Sequence, residues 1–252
     1  MKGSTHILLS LLTGLVILAP VAGLIHWSWS LVILLGIFFG SIAPDVDKGR
    51  DSAIFHSAIP GAKGRRFFLT PVIGYFLYLF CYKPLSIIFV GIFGSKILPK
   101  QGHRELPHSP IGVVCMSVLL TLWLWLFCYA LSYIPHLEFF RNNILIWIFG
   151  AAFLLGCFLH LLEDTCDNSG IHYLYPFRFR RVRGTVVGDG SDIRPKLFAA
   201  ALAVVAVVVF FGFFLGQISA IYAVWAAFLV PASLWMVFLK ISGVPAKKVA
   251  WE

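Results

Sequence analysis

Long uncharged apolar runs, separated by short polar stretches, set the organisation of this chain. Ile7–Ile25, Leu31–Ala43, Ile111–Tyr133, Ile144–Leu162, Leu197–Leu215 and Ile221–Leu239 each read as a membrane-spanning helix. The second is short and stops at Pro44-Asp45-Val46-Asp47. A further apolar stretch, 67–93, is interrupted by Lys83-Pro84. No long stretch alternates apolar and polar residues, which argues against a β-barrel. The first run suits a retained span better than a secretory leader.

Charge decides how the interrupted stretch is read. If 67–93 enters and leaves on one side, all but Lys83 and Arg141 of the 20 Lys and Arg residues share a face. A single crossing would divide the basic loops 45–66, 96–109 and 163–196 between two faces, against the positive-inside rule. The expectation is therefore an all-α polytopic transmembrane helical bundle. It has about six clear spans plus a re-entrant or two-helix hairpin at 67–93, with the basic face and both termini cytoplasmic. Residues 1–196 form a membrane-embedded domain, and 197–252 a C-terminal helix pair with a basic tail.

Composition agrees, with 60% hydrophobic and only 12% charged residues, against about 25% charged in a soluble domain. The net charge of +9 belongs to the loops, so no nucleic-acid partner is implied. Of five cysteines, Cys81, Cys115, Cys128 and Cys157 lie in apolar runs as small hydrophobes. Cys166 lies beside a candidate site, but there is no CxxC pair to suggest a thiolate metal centre.

The candidate chemistry lies where apolar runs end. His160 and Asp164 are four residues apart, on one face of a helix. Asp45-x-Asp47 follows the second span, His103 and His108 precede the span at Ile111, and His6 precedes the first. On the expected topology all seven reach the cytoplasmic ends of spans, where they could hold one or two divalent ions. Nitrogen and oxygen donors without thiolate suit Zn, Mn, Fe or Co. Such an ion would lower the pKa of bound water and supply a nucleophile near neutral pH. Arg104 is a candidate for oxyanion stabilisation, and Glu163 for general-base duty or for orienting a ligand. Ser109 is placed to cap the following helix.

Thr5-His6, Pro44-Asp45-Val46-Asp47, His103-Arg104-x-x-x-His108-Ser109 and His160-x-x-x-Asp164, followed by Gly170 and Tyr175-Pro176, together resemble the YdjM-type family. The motifs keep the family's order and run from residue 5 to about 183. Glu105, Pro107 and Lys48 depart from its usual Gly, Thr and His. The resemblance implies an inner-membrane protein and a metal-dependent hydrolase with a site at the cytoplasmic face. Relatives are also linked by name to binding an SOS repressor, which implies a soluble protein partner.

Phe177-Arg178-Phe179-Arg180-Arg181-Val182-Arg183 alternates aromatic and basic residues. It reads either as a segment held at anionic headgroups or as arginines that grip a phosphate-bearing substrate. His56 and His172 are outside candidates for the site. The expected activity is hydrolysis of an ester or phosphoester, lipid among the candidates. The alternatives are a metal or ion transporter, which would need ionisable groups near the bilayer midplane, and a non-catalytic anchor that recruits a soluble partner.

Overall fold

The computed structural model describes residues 1–51, 69–94, 106–141, 143–177, 180–216 and 219–245. Among them the chain is helical: α1 (Gly3–Leu18), α2 (Trp27–Gly40), α3 (Leu69–Phe76), α4 (Lys83–Phe93), α5 (Pro110–Leu131), α6 (Ile144–Cys166), α7 (Arg194–Leu215) and α8 (Ala220–Ile241). Seven helical runs are long and apolar enough to cross a membrane. Their outward faces carry large apolar side chains such as Val204, Val208, Phe211 and Leu229, as a lipid-facing surface requires.

The stretch 67–93 corrects one expectation, because α3 and α4 do not fold back on each other. They join through a turn of π-helix, Leu77–Tyr82, and Pro71–Phe93 makes one run of 23 residues. Pro84 cannot donate to the Phe80 carbonyl four residues back. The Trp123 indole of α5 donates to that carbonyl instead, at 3.2 Å. A neighbouring helix has supplied the missing donor, so the backbone stays satisfied without breaking the run.

Asp45, after α2, and His108, before α5, approach to 3.4 Å, so the end of α2 and the start of α5 lie at one end of the bundle. The start of α1, the ends of α2, α6 and α8, and the starts of α5 and α7 gather at that end.

Helices α2 and α6 make the closest approach, through small residues on both sides. A Cβ on Gly36 would lie 2.7 Å from the Ala152 Cβ, and one on Gly40 2.9 Å from the Cys157 nitrogen. Gly36-x-x-x-Gly40 faces Ala152-x-x-x-Gly156, a pairing that lets two backbones touch inside a bilayer. On the other side of α6, Gly150 receives Thr121 of α5. The helix pair within 197–252 packs along α1: Phe198 and Trp235 share a buried cluster with Leu9, Val16 and Ile37. The Trp235 indole donates to Thr13 at 3.1 Å.

The segment after α6 is irregular apart from two isolated bridges, Asp167 with Val186 and Ile171 with Val182. Arg194 fastens it. Its guanidinium reaches Asp192 at 2.6 Å, the Thr185 carbonyl at 2.8 Å and the Ile241 carbonyl at 3.4 Å.

Candidate metal centre

Each site residue is positioned by the way its helix starts or stops. Pro44 ends α2 and turns the chain into a 3₁₀ turn, Pro44–Asp51, with Val46 buried beneath. Asp45 and Lys48, three apart, eclipse on one face of that turn and pair at 2.7 Å. His108 closes the turn Leu106–His108 ahead of α5. Ser109 caps α5 as expected, its hydroxyl accepting from the Gly112 N–H at 3.1 Å. Gly112 lies against the Leu106 carbonyl too closely for a side chain, which holds the histidine in place.

Six of the seven expected metal ligands come together. His6 stacks on His160 with ring centroids 4.0 Å apart. His160 Nε2 lies 3.4 Å from Asp164 Oδ2, 3.9 Å from Asp45 Oδ1 and 3.3 Å from His108 Nε2. His108 Nε2 is 3.4 Å from Asp45 Oδ1 and 3.5 Å from Asp164 Oδ2, and His6 Nε2 is 3.5 Å from Asp164 Oδ1. His6, His160 and Asp164 form one group that could hold a metal ion, and Asp45, His108 and His160 another. The seventh, His103, lies outside the described residues, as do Arg104 and Arg178.

The three imidazoles share an orientation. His160 Nδ1 faces the Ser41 carbonyl at 2.7 Å. A carbonyl only accepts, so Nδ1 carries the proton and Nε2 presents a lone pair. His6 Nδ1 meets Glu163 Oε2 at 2.5 Å, and Ser10 donates to the other oxygen of that carboxylate at 2.9 Å. His108 Nδ1 faces Asp47 Oδ2 at 3.6 Å. All three Nε2 atoms therefore turn inward on Asp45 and Asp164, with an oxygen behind every ring. Metal-binding histidines are oriented in this way.

The site is buried and rich in carboxylates. His6, His108, His160, Glu163 and Asp164 are each no more than 1% exposed. Burial alone would lower the pKa of His108, but Asp47, Asp45 and Asp164 outweigh it and push it up to about 9. So many carboxylates around so few cations leave a place for a positive ion. The donor set, imidazole nitrogen and carboxylate oxygen without thiolate, fits the divalent metals anticipated.

The profile of the YdjM inner membrane protein family matches residues 1–244. The chain belongs to that family. No curated protein and no solved structure matches it. The matched region takes in all eight helices and every residue of the candidate site described above.

Some parts of the site had no counterpart in the sequence reading. Ser10 and the Ser41 carbonyl hold Glu163 and His160, yet a serine in a span and a backbone oxygen carry no sequence signal. Asp167, 2.7 Å from the Met1 amino group, was likewise invisible. Gly36-x-x-x-Gly40 was legible, since small residues four apart in an apolar run mark a close helix contact. The proposed substrate arginines stand apart from this cluster: Arg180 and Arg181 are exposed. Arg181 donates to His172 at 2.9 Å, and His172 belongs to neither of the two groups that could hold an ion; His56 lies outside the described residues.

Proposed function

We propose that this YdjM-family protein is a membrane-bound, metal-dependent hydrolase of esters or phosphoesters, with its site at the cytoplasmic end of the bundle. The observation that carries the reading is the shared orientation of His6, His108 and His160. Each has an oxygen behind Nδ1; Nε2 of His108 and of His160 faces both Asp45 and Asp164, and Nε2 of His6 faces Asp164. His6, His108, His160, Asp45 and Asp164 would hold one ion, or two with His160 between them, zinc being the best match for nitrogen-rich coordination. A bound divalent cation supplies Lewis acidity, polarising an ester or phosphoryl oxygen and making water nucleophilic near neutral pH.

The chain's own residues prepare that chemistry. Glu163 fixes His6 and is itself held by Ser10, which suits it to an orienting role. Asp47, proposed from sequence as a ligand, stands behind His108 and suits the same duty. Arg180 and Arg181, exposed on the segment after α6, would draw an anionic substrate or lipid headgroup toward the site, a duty the sequence also offers to Arg104 and Arg178. Among the described residues Lys2, Lys48, Arg194 and Lys196 lie at that end of the bundle, which supports a cytoplasmic orientation.

Elemental analysis of the purified protein tests the reading, with the His160→Ala and Asp164→Ala variants alongside. The expected result is stoichiometric divalent metal and ester or phosphoester turnover in the wild type. Both should be lost in the variants, with membrane insertion retained. Equal metal content in all three overturns it.

A further inference from the structure

Lys48 is the one group of the described site that has a substantial exposed surface. Its side chain is 27% exposed, against 5% for the Asp45 side chain it touches. The ammonium docks 2.7 Å from Asp45 Oδ1. That oxygen also faces His108 Nε2 at 3.4 Å and His160 Nε2 at 3.9 Å. An ammonium has three donors and no acceptor, so Lys48 sits on the Asp45 oxygen that faces both imidazoles, where it competes with a cation bound there.

We propose that Lys48 is a displaceable counter-ion that becomes the anion-binding residue of the site, so that the substrate is a phosphate-bearing ester rather than a neutral one. This rests on the hydrolase reading above. A divalent ion on Asp45 repels the ammonium at this range. The four-carbon stem is flexible and leads toward the exposed edge, so the displaced Nζ stays tethered at the rim. There its three donors meet an anionic phosphoryl oxygen as that group approaches the cation. A neutral ester offers the ammonium no charge and gains little from it.

The experiment uses full-length protein in detergent, with Co²⁺ as the metal probe, because its visible absorption reports ligation, and with inorganic phosphate as the anion probe. Lys48→Met and Lys48→Gln should bind Co²⁺ about fivefold more tightly, since a partly exposed ion pair no longer competes. The same Co²⁺-loaded variants should bind phosphate about tenfold more weakly, whereas Lys48→Arg keeps phosphate binding because it keeps the charge. Unchanged or weaker Co²⁺ binding in both neutral variants, or equal phosphate binding in all forms, overturns the proposal. Two neutral variants guard against one that fails to fold. If wild type binds Co²⁺, His160→Ala does not, and the Lys48 variants match wild type, this proposal falls alone. If wild type binds no Co²⁺, the hydrolase reading falls with it. Nanodiscs of phosphatidylcholine with and without phosphatidic acid separate the phosphate's source. Displacement of inorganic phosphate only by phosphatidic acid supports a lipid headgroup, and no displacement supports a soluble phosphoester.

Discussion

The Nδ1 of His160 and the carbonyl of Ser41 meet at 2.7 Å, and this contact sets which face of the imidazole is basic. The acceptor is backbone, exposed where α2 ends at Gly40 and its last carbonyls lack helical donors. No substitution at 41 removes that oxygen. The contact joins the termination of one helix to the ligand chemistry of another.

The corresponding support for His6 is a side chain and is open to mutation. Glu163→Leu removes the oxygen behind Nδ1 and should weaken divalent metal binding by about 10- to 100-fold. Glu163→Gln keeps one acceptor oxygen for Nδ1 while its amide N–H can donate to the Ser10 hydroxyl, and should lose less. Calorimetric metal titration of the two variants checks this. A Leu variant that binds as tightly as wild type would show that Glu163 does not orient a ligand.

Gly40 directly precedes Ser41 and lies against the backbone of α6 one turn before His160. Gly40→Ala should push α2 away from α6 and cost about 1–3 kcal/mol or more, as overpacking does. The same displacement separates Asp45 from His160, so metal affinity should fall together with thermal stability. Gly91, with nothing near its Cβ position, is the control, and Gly91→Ala should leave both measurements near wild type. Equal stability of the two alanine variants would refute the close-packing account.

Trp123 and Pro84 form a test of backbone satisfaction. Trp123→Phe leaves the Phe80 carbonyl without its indole donor, and should cost about 0.6–2 kcal/mol, the range for interhelical hydrogen bonds in membranes. In a Pro84→Ala background the Ala N–H is available to that carbonyl, so the Trp123→Phe cost should shrink toward zero. A double-mutant cycle on unfolding in detergent measures the difference. Additive costs would sink the explanation.

Metal binding should depend on pH through His108. Its pKa in the metal-free fold is raised to about 9, above the ordinary value near 6.5. A raised histidine stabilises the fold fully below the ordinary value, and that contribution is lost as pH rises through about 9. A metal ion competes with the proton, so metal affinity should increase over the same interval, with proton release on binding. Thermal melts with and without divalent metal from pH 6 to 9 should therefore diverge, the metal-free protein weakening and the loaded one holding. Parallel curves would count against His108 as a ligand.

The uncharged runs by themselves determined that this chain crosses a membrane on helices, because length and apolarity are one-dimensional properties that need no partner. The placement of His6, Asp45, His108, His160 and Asp164 at the ends of those runs was legible too. Ionisable groups avoid lipid, and a chain that turns at one face brings its helix ends together. Tertiary structure alone decided that 67–93 runs on through Lys83-Pro84, since the rescuing donor is Trp123, 43 residues away in the chain. It alone separated Asp47 and Glu163, each behind an imidazole, from Asp45 and Asp164, which the three Nε2 atoms face. Adjacent carboxylates look alike in sequence, and which of them faces the shared space depends on how α1 and α2 are rotated against α6. For α2 that rotation follows from glycine-to-backbone contact with α6, not from any residue's own preference.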